Sequence, residues 1–188
     1  MIRILIGLLA VMLLFTACDN KSSFDESLVA KTEVTQEEPF QEVNYSLTTV
    51  DAKLIDFKST PQGFDFADYK GKKAVLIDVF ATWCPPCIEE LPILKELREK
   101  YKDDFEIVSV LFEKDKPLEE VIAFINEHKI PYPVTVGEEN FVLTKDLGDI
   151  KKIPEMFLFS KNGEFIKKFV GKTSKENLER YINIAIEN

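Results

Sequence analysis

The hydrophobic positions of the chain form two kinds of pattern. Near-continuous apolar runs, typical of strands buried on both faces, occur at residues 74–80 (AVLIDVF) and 105–112 (FEIVSVLF). Each run is followed by a segment with helical spacing, at residues 85–101 and 116–129. The inward positions predicted for these two helices are Ile88, Leu91, Leu94, Leu97 and Tyr101 in the first and Val121, Ile122, Phe124 and Ile125 in the second.

Shorter segments complete the predicted domain. Apolar positions on either side of Asp51-Ala52 predict an early hairpin, and FADYKGK after it predicts a turn. YPVTV predicts a short strand and NFVLTKDLG a short helix, and two further strands flank the turn signal KNG. SKENLERYINIAI predicts a last helix, with Ser174 and Asn177 at or near capping positions. Strand–helix alternation followed by a hairpin and a helix indicates an α/β sandwich with a mixed sheet.

The first eighteen residues, MIRILIGLLAVMLLFTAC, have a different pattern from the rest. A positive residue, Arg3, precedes an uncharged run over residues 4–17. This run is shorter than the about 20 residues that a membrane span needs, and it fits an export signal. Small residues precede Cys18, as in the lipobox of bacterial lipoproteins, although Phe15 stands where leucine is usual. We expect residues 1–17 to be a lipoprotein-type signal peptide and Cys18 to be lipidated; a non-lipidated signal or an uncleaved anchor is the alternative.

Residues 18–43 are polar and acidic and have no sustained periodicity. They predict a flexible linker between the lipid anchor and a domain over residues 44–188, the alternative being a short ordered arm on the domain. The domain would then be extracytoplasmic, on the periplasmic side in a Gram-negative cell. A formal net charge of −9 argues against nucleic acid as a partner, which would require a basic patch.

Cys84 and Cys87 stand two residues apart in DVFATWCPPCIEELP. A structural zinc site usually needs four Cys or His ligands, and the lone His128 lies at the end of a predicted helix. We therefore expect no metal site, although copper(I) on the two thiolates remains an alternative. A disulfide that closes so short a loop removes little chain entropy and would be a poor structural crosslink.

Redox chemistry fits the cysteine pair better. Cys84 is predicted at the entrance of a helix, where free N–H groups favour an attacking thiolate, and Cys87 one turn later can resolve a mixed disulfide. Pro85 and Pro86 have no N–H to donate, so the nearest donors to the Cys84 sulfur are the amides of Cys87 and Ile88. A modestly stabilised thiolate favours the role of reductant.

Two carboxylates accompany the pair. Asp78 lies six residues before Cys84 on the predicted buried strand, where burial would raise its pKa and let it accept the Cys87 proton. Glu90 lies one helical turn after Cys87 and can face the same side. The alternatives are a solvated carboxylate at the strand end for Asp78 and an ordinary exposed glutamate for Glu90, as is expected of Glu89.

The stretch VLIDVFATWCPPC, with a tryptophan before the first cysteine, closely resembles the thioredoxin superfamily. Within it, residues 45–188 resemble the membrane-tethered TlpA/ResA group of thiol–disulfide oxidoreductases. The resemblance implies a thioredoxin-like three-layer sandwich with a mixed central sheet, an N-terminal β-hairpin and a central βα insertion at about residues 115–148. Glu90, in CIEELP, stands where that group has an active-site acid.

The resemblance also implies a cis-proline opposite the cysteines, and Ile153-Pro154 in KKIPEMFLF is the matching position. Together with Trp83, this dipeptide would shape the substrate groove. A trans proline at the start of a strand is the alternative, and Pro131 and Pro133 are rivals by spacing alone. Glu155 departs from the small or hydroxyl residue that is common after this proline.

The expected activity is thiol–disulfide exchange with protein thiols and disulfides, through a redox-active Cys84–Cys87 disulfide and no other cofactor. The resemblance implies reduction, with electrons from a membrane thiol donor and the haem-binding cysteines of apocytochrome c as a substrate. The alternatives are a disulfide oxidase or isomerase, a copper(I) carrier, and a structural lipoprotein with an incidental disulfide.

Overall fold

A computed structural model describes residues 39–188. The predicted signal peptide, Cys18 and most of the predicted linker lie outside the described residues. Within residues 39–188, no helix has the length and apolar character that crossing a bilayer requires.

Eight strands and four helices make up the described part of the chain. In chain order they are β1 (Asn44–Thr49), β2 (Leu54–Thr60), β3 (Gly63–Phe66), β4 (Ala74–Phe80), α1 (Pro85–Lys100), β5 (Phe105–Leu111), α2 (Leu118–His128), β6 (Val134–Val136), α3 (Glu139–Asp146), β7 (Glu155–Phe159), β8 (Phe165–Val170) and α4 (Lys175–Glu187). The strands form one sheet in the order β3-β2-β1-β6-β5-β4-β7-β8. β4, β5 and β6 run parallel to one another and the other pairings are antiparallel, so the predicted mixed sheet is confirmed.

The two central strands separate two apolar cores. All seven residues of β4 and of β5 are buried, as their continuous apolar pattern predicts. Side chains from α1, α2 and α4 pack in one core with alternate residues of these strands, including Leu76 and Ile107. The other alternate residues, including Ile77 and Val108, pack in the second core with β1–β3 and α3. This arrangement gives the predicted α/β sandwich.

β1 and β2 form the predicted N-terminal hairpin, and β3 pairs with β2 just before the predicted turn, which extends the hairpin to a three-stranded meander. The meander is joined to the turn between β7 and β8, where Phe64 N donates to Gly163 O at 2.8 Å. Two glycines allow this close approach. A Cβ on Gly63 would lie 2.3 Å from Gly163 O, and one on Gly163 would lie 2.1 Å from Phe64 O.

One inward position predicted for α2 is wrong. Val121 and Phe124 are buried and Ile125 packs against the same core, but Ile122 is 39% exposed. Positions 121, 124, 125 and 128 follow the helical repeat on one side, and residue 122 is turned about 100° away from residue 121. His128 is the last residue of α2, at the helix end where it is predicted, and its ring packs on Phe124.

Candidate active site

The two cysteines lie where β4 leads into α1. Cys84 is the N-cap of α1, Pro85 is the first residue of the helix, and Cys84 and Cys87 are joined in a disulfide. Proline fits this position because its fixed φ matches the helix and its missing N–H would have no helical partner. Both cysteines are buried, whereas the preceding Trp83 is 65% exposed. The reactive bond is therefore buried, while the residue before it in the chain exposes a large aromatic side chain.

The Cys84 sulfur accepts a hydrogen bond from the backbone N–H of Cys87, at 3.3 Å. The amide of Ile88, predicted as a second nearby donor, instead donates to the Cys84 carbonyl oxygen at 3.1 Å. That prediction is wrong because the first helical hydrogen bond of α1 occupies the Ile88 N–H group. The sulfur thus has less support from the helix entrance than the spacing suggests.

Asp78 is buried, so the alternative of a solvated carboxylate is wrong. Ser109, its direct neighbour on the parallel strand β5, donates a hydrogen bond from Oγ to Asp78 Oδ2 at 2.8 Å. Burial raises the pKa of Asp78 to about 7; the Ser109 hydrogen bond opposes this rise, and the negative charge of Glu90 adds to it. A carboxyl with such a pKa can both accept and return a proton near neutral pH.

Glu90 is also buried, at 1% exposure, and is not the exposed helix residue of the alternative. Its Oε1 accepts a hydrogen bond from the Thr173 backbone N–H at 2.9 Å, and its Oε2 is buried without a hydrogen-bond partner. Burial raises the pKa of Glu90, while the Thr173 hydrogen bond and the charge of Lys172 lower it. Glu89 is exposed and pairs with Lys172 at 2.7 Å, as an ordinary surface residue would.

The Ile153-Pro154 peptide bond is cis, so the alternative of a trans proline is wrong. Val79 is paired with Glu155 in the antiparallel β4–β7 register, which places Pro154 at the end of the sheet where β4 leads to Cys84. The Glu155 side chain is buried and pairs with Lys168 Nζ at 2.7 Å. The acidic residue that follows the cis-proline is therefore compensated by a cation.

The loop between β8 and α4 holds both sides of the site. Gly171 N donates to the carbonyl oxygen of Pro154 at 2.8 Å, and Thr173 N donates to Glu90 two residues later. The cis-proline and the buried acid on α1 are thus fixed to one short segment.

Ser109 and Tyr132 belong to the site but were not found from the sequence. Tyr132 precedes β6, is 5% exposed, and has a buried hydroxyl without a hydrogen-bond partner. Burial raises the pKa of Tyr132 well above its ordinary value, the charge of Asp78 raises it further, the nearby Ser109 hydroxyl opposes the rise, and the charge of Glu90 adds to it. Pairing of the two predicted buried strands could have indicated Ser109, whereas no local signal indicates Tyr132.

Glu113 is a further residue that sequence reasoning missed. Its Oε2 accepts two hydrogen bonds from Thr82, from the backbone N at 3.1 Å and from Oγ1 at 2.8 Å. Lys116 Nζ lies 3.5 Å from its other oxygen. Glu113 thereby fixes the loop residue that precedes Trp83 and the Cys84–Cys87 pair.

Among residues 39–188, no three His, Cys, Asp or Glu side chains converge in a way that could hold a metal ion. A copper(I) ion would therefore have to rely on the sulfurs of Cys84 and Cys87.

Sequence comparison agrees with this geometry, because residues 36–182 match the profile of the Redoxin family. The chain belongs to the Redoxin family. This Redoxin chain is 31% identical over 153 residues to thiol-disulfide oxidoreductase ResA of Bacillus thuringiensis, an alignment that covers 81% of the chain and 78% of that protein.

Solved structures show the same fold. A thioredoxin-family thiol:disulfide interchange protein from Chlorobium tepidum TLS is 28% identical, with a TM-score of 0.60 over 80% of this chain and 98% of that one. StoA from Bacillus subtilis, at 24% identity, has a TM-score of 0.57 over 74% and 96% of the two chains and supports the fold alone. The predicted thioredoxin-like fold and the resemblance to the TlpA/ResA group are confirmed, and the Redoxin chain is a thiol–disulfide oxidoreductase.

Proposed function

We propose that this Redoxin protein is an extracytoplasmic, lipid-anchored reductase of protein disulfides. The direction rests on the surroundings of Cys84. Its sulfur accepts a hydrogen bond from the Cys87 amide, the Ile88 amide is occupied by a carbonyl oxygen, and Pro85 and Pro86 have no N–H. A thiolate with little stabilisation makes the reduced form less stable and the dithiol a stronger reductant.

The reaction begins from the reduced pair. The Cys84 thiolate attacks one sulfur of a substrate disulfide, forms a mixed disulfide, and releases the other substrate sulfur as a thiolate. Cys87 then gives its proton to the Asp78 carboxylate and attacks the Cys84 sulfur, and the second substrate thiolate leaves. Two electrons pass from the dithiol to the substrate, and the protein is left with the Cys84–Cys87 disulfide.

The substrate groove in this proposal is formed by Trp83 and by the backbone at Ile153 and Pro154. The exposure of Trp83, next to the buried Cys84 in the chain, supports it, because a substrate that reaches Cys84 can pack on the exposed indole. The Glu113–Thr82 hydrogen bonds would hold this wall of the groove in place.

The proposal also includes the location and the partners of the protein. The pattern of Arg3, the apolar run and Cys18 supports export and lipidation. The resemblance to the TlpA/ResA group supports apocytochrome c cysteines as a substrate and a membrane thiol donor that reduces the pair again. Acyl-mass analysis of the mature protein, with and without globomycin, tests the anchor; an unacylated N-terminus beyond Cys18 would contradict it.

A redox titration of the purified domain against glutathione buffers tests the direction. We expect a potential nearer to the about −270 mV of thioredoxin than to the about −120 mV of a strong oxidase. A value near that of the oxidase would overturn the reductase proposal and favour the oxidase alternative. The Cys84→Ser variant should show no titration and no reduction of insulin disulfides.

Trapping with Cys87→Ala tests the substrate. This variant should retain a mixed disulfide at Cys84 with an oxidised peptide that carries the two haem-binding cysteines of a cytochrome c. The matched double variant Cys84→Ser/Cys87→Ala should retain none. Equal trapping of an unrelated disulfide peptide would argue against a preference for apocytochrome c.

A further inference from the structure

A row of polar side chains crosses the central sheet beneath α1. Asp78 on β4 is in register with Ser109 on β5, and Ser109 is in register with Val134 on β6. Tyr132 lies two residues before Val134, and both side chains pack in the core that contains Cys84 and Cys87. Ser109 N donates to Pro133 O at 2.9 Å, which fixes the segment that carries Tyr132 against β5.

The hydroxyl of Tyr132 has no hydrogen-bond partner although its oxygen is buried. A buried hydroxyl without a partner costs free energy and is uncommon, so the burial of this hydroxyl needs a physical explanation. Ser109 uses its one donor on Asp78 and keeps lone pairs that can accept a hydrogen bond. With its pKa raised well above the ordinary value, Tyr132 stays protonated and can serve as a donor.

Apart from the Ser109 side, the groups around Asp78 do not stabilise a negative charge on its carboxylate. Glu90 on α1 acts against ionisation of Asp78, and Met156, opposite Asp78 on β7, carries no charge. Lys172, in the loop after β8, pairs with the exposed Glu89, and its positive charge lowers the pKa of Glu90. Neutral donors on the Ser109 side are therefore the groups placed to stabilise the Asp78 carboxylate.

We propose that Tyr132 is a positioning residue of the disulfide-exchange site, whose hydroxyl donates to the Ser109–Asp78 pair when the carboxylate is charged and so promotes transfer of the Cys87 proton. The inference rests on the proposed resolving step, in which the proton moves from Cys87 Sγ to an Asp78 oxygen. The Cys87 sulfur then bonds to the Cys84 sulfur, and the substrate sulfur leaves with its electron pair.

Stopped-flow reaction of the reduced protein with dithiobis(nitrobenzoate) isolates this step. The first coloured thiolate reports attack by Cys84, and the second reports attack by Cys87. In Tyr132→Phe, the pH profile of the second phase should shift upward by about 0.5–1 pH unit, because one hydrogen bond to the charged form is lost. The second phase should be about 3- to 10-fold slower below pH 7 and equal to wild type above pH 9, with the first phase unchanged.

Three variants complete the test. Tyr45→Phe is the matched control, because its hydroxyl bonds to the Asp146 carboxylate at 2.8 Å and its ring packs in the other core, so it should cause no shift. Ser109→Ala should shift the profile in the same direction as Tyr132→Phe. In an Asp78→Asn background, Tyr132→Phe should have no further effect.

An unshifted profile in Tyr132→Phe, or a shift that persists in the Asp78→Asn background, would overturn the inference. The two phases are measured whatever the redox potential of the pair. A high potential would therefore reject the reductase proposal without affecting this test.

Discussion

The strand pair β4–β5 buries an acid at each end, and the two acids have different partners. Glu106, near the start of β5, receives two hydrogen bonds from Arg98, at 3.0 and 3.1 Å, and lies 3.5 Å from Lys73 Nζ. Asp78, near the end of β4, has the neutral hydroxyl of Ser109 as its hydrogen-bond partner. Both carboxylates are almost fully buried, at 5% and 3% exposure.

The difference separates a structural acid from one that can exchange a proton. A guanidinium group beside a buried carboxylate satisfies it with charge-assisted hydrogen bonds, so removal of the guanidinium group is costly. A carboxyl that is buried with neutral donors gains a raised pKa instead, and this occurs at the carboxyl ends of the parallel strands, where active sites of such sheets lie. Four measurements test this difference between the two ends of the strand pair.

The pH dependence of stability should show the largest effect. The pKa of Asp78 is raised from 3.8 to about 7 on folding, so the folded protein keeps a proton that the unfolded chain releases. The protonated Asp78 carboxyl makes its full contribution to the free energy of unfolding below pH 4. This contribution, about 4 kcal/mol at most, is lost as the pH rises to 7. Urea unfolding of wild type and Asp78→Asn from pH 4 to 8 measures it. The difference between the two free energies of unfolding should change with pH, and parallel curves would contradict the assignment.

At the other end of the strand pair, Arg98→Met should destabilise the protein by about 3 kcal/mol, because Glu106 is left buried with Lys73 alone. Chemical denaturation gives this value, and the rate of insulin reduction per folded molecule should not change. The double variant Arg98→Met/Glu106→Leu is the control and should recover much of the loss. A fall in activity without a loss of stability would mean that this acid also serves catalysis.

Glu90→Gln should have a smaller effect, of opposite sign to Tyr132→Phe. Removing the negative charge of Glu90 lowers the pKa of Asp78, so the pH profile of the Cys87 step should move downward by less than about 1 unit. The same two-phase stopped-flow assay measures it, with Glu89→Gln as the exposed control. An upward shift would place the proton acceptor on Glu90 itself.

Lys172→Ala should have the smallest effect. Its ion pair with Glu89 lies at the surface, with both side chains about half exposed, so the free energy of unfolding should change by less than about 1 kcal/mol. Thermal unfolding in low and high salt measures this change. A larger loss would show that Lys172 compensates the buried Glu90 directly.

The parts of the fold that could be predicted are those with a clear period. β4, β5 and α1 have long apolar patterns, and their buried faces follow them. β3 was missed because GFDF spans only two alternations beside turn residues. The exposed Ile122 shows that an apolar residue beside the helical stripe does not have to be buried.

The residues of the candidate site likewise fall into those that the sequence predicts and those that it does not. Asp78, Cys84, Cys87 and Glu90 lie within one local motif, so spacing along the chain predicts their proximity. Ser109, Tyr132 and Glu113 reach the site through strand register and loop packing, which depend on the whole fold. Which backbone N–H groups remain free at the helix entrance also depends on hydrogen bonds that residue spacing does not show.

The contact between Gly63 and Gly163 also protects the edges of the sheet. β3 and β8 are the two outer strands of the sheet, and an uncovered outer strand can recruit an extended segment of another protein. Where β3 approaches the turn between β7 and β8, Phe64 N donates to Gly163 O and Phe165 N donates to Gln62 O. These hydrogen bonds satisfy backbone groups at the edges of both outer strands. A bulkier residue at either glycine would separate the edges of β3 and β8. We expect such a variant to self-associate through these edges, without a change at the disulfide.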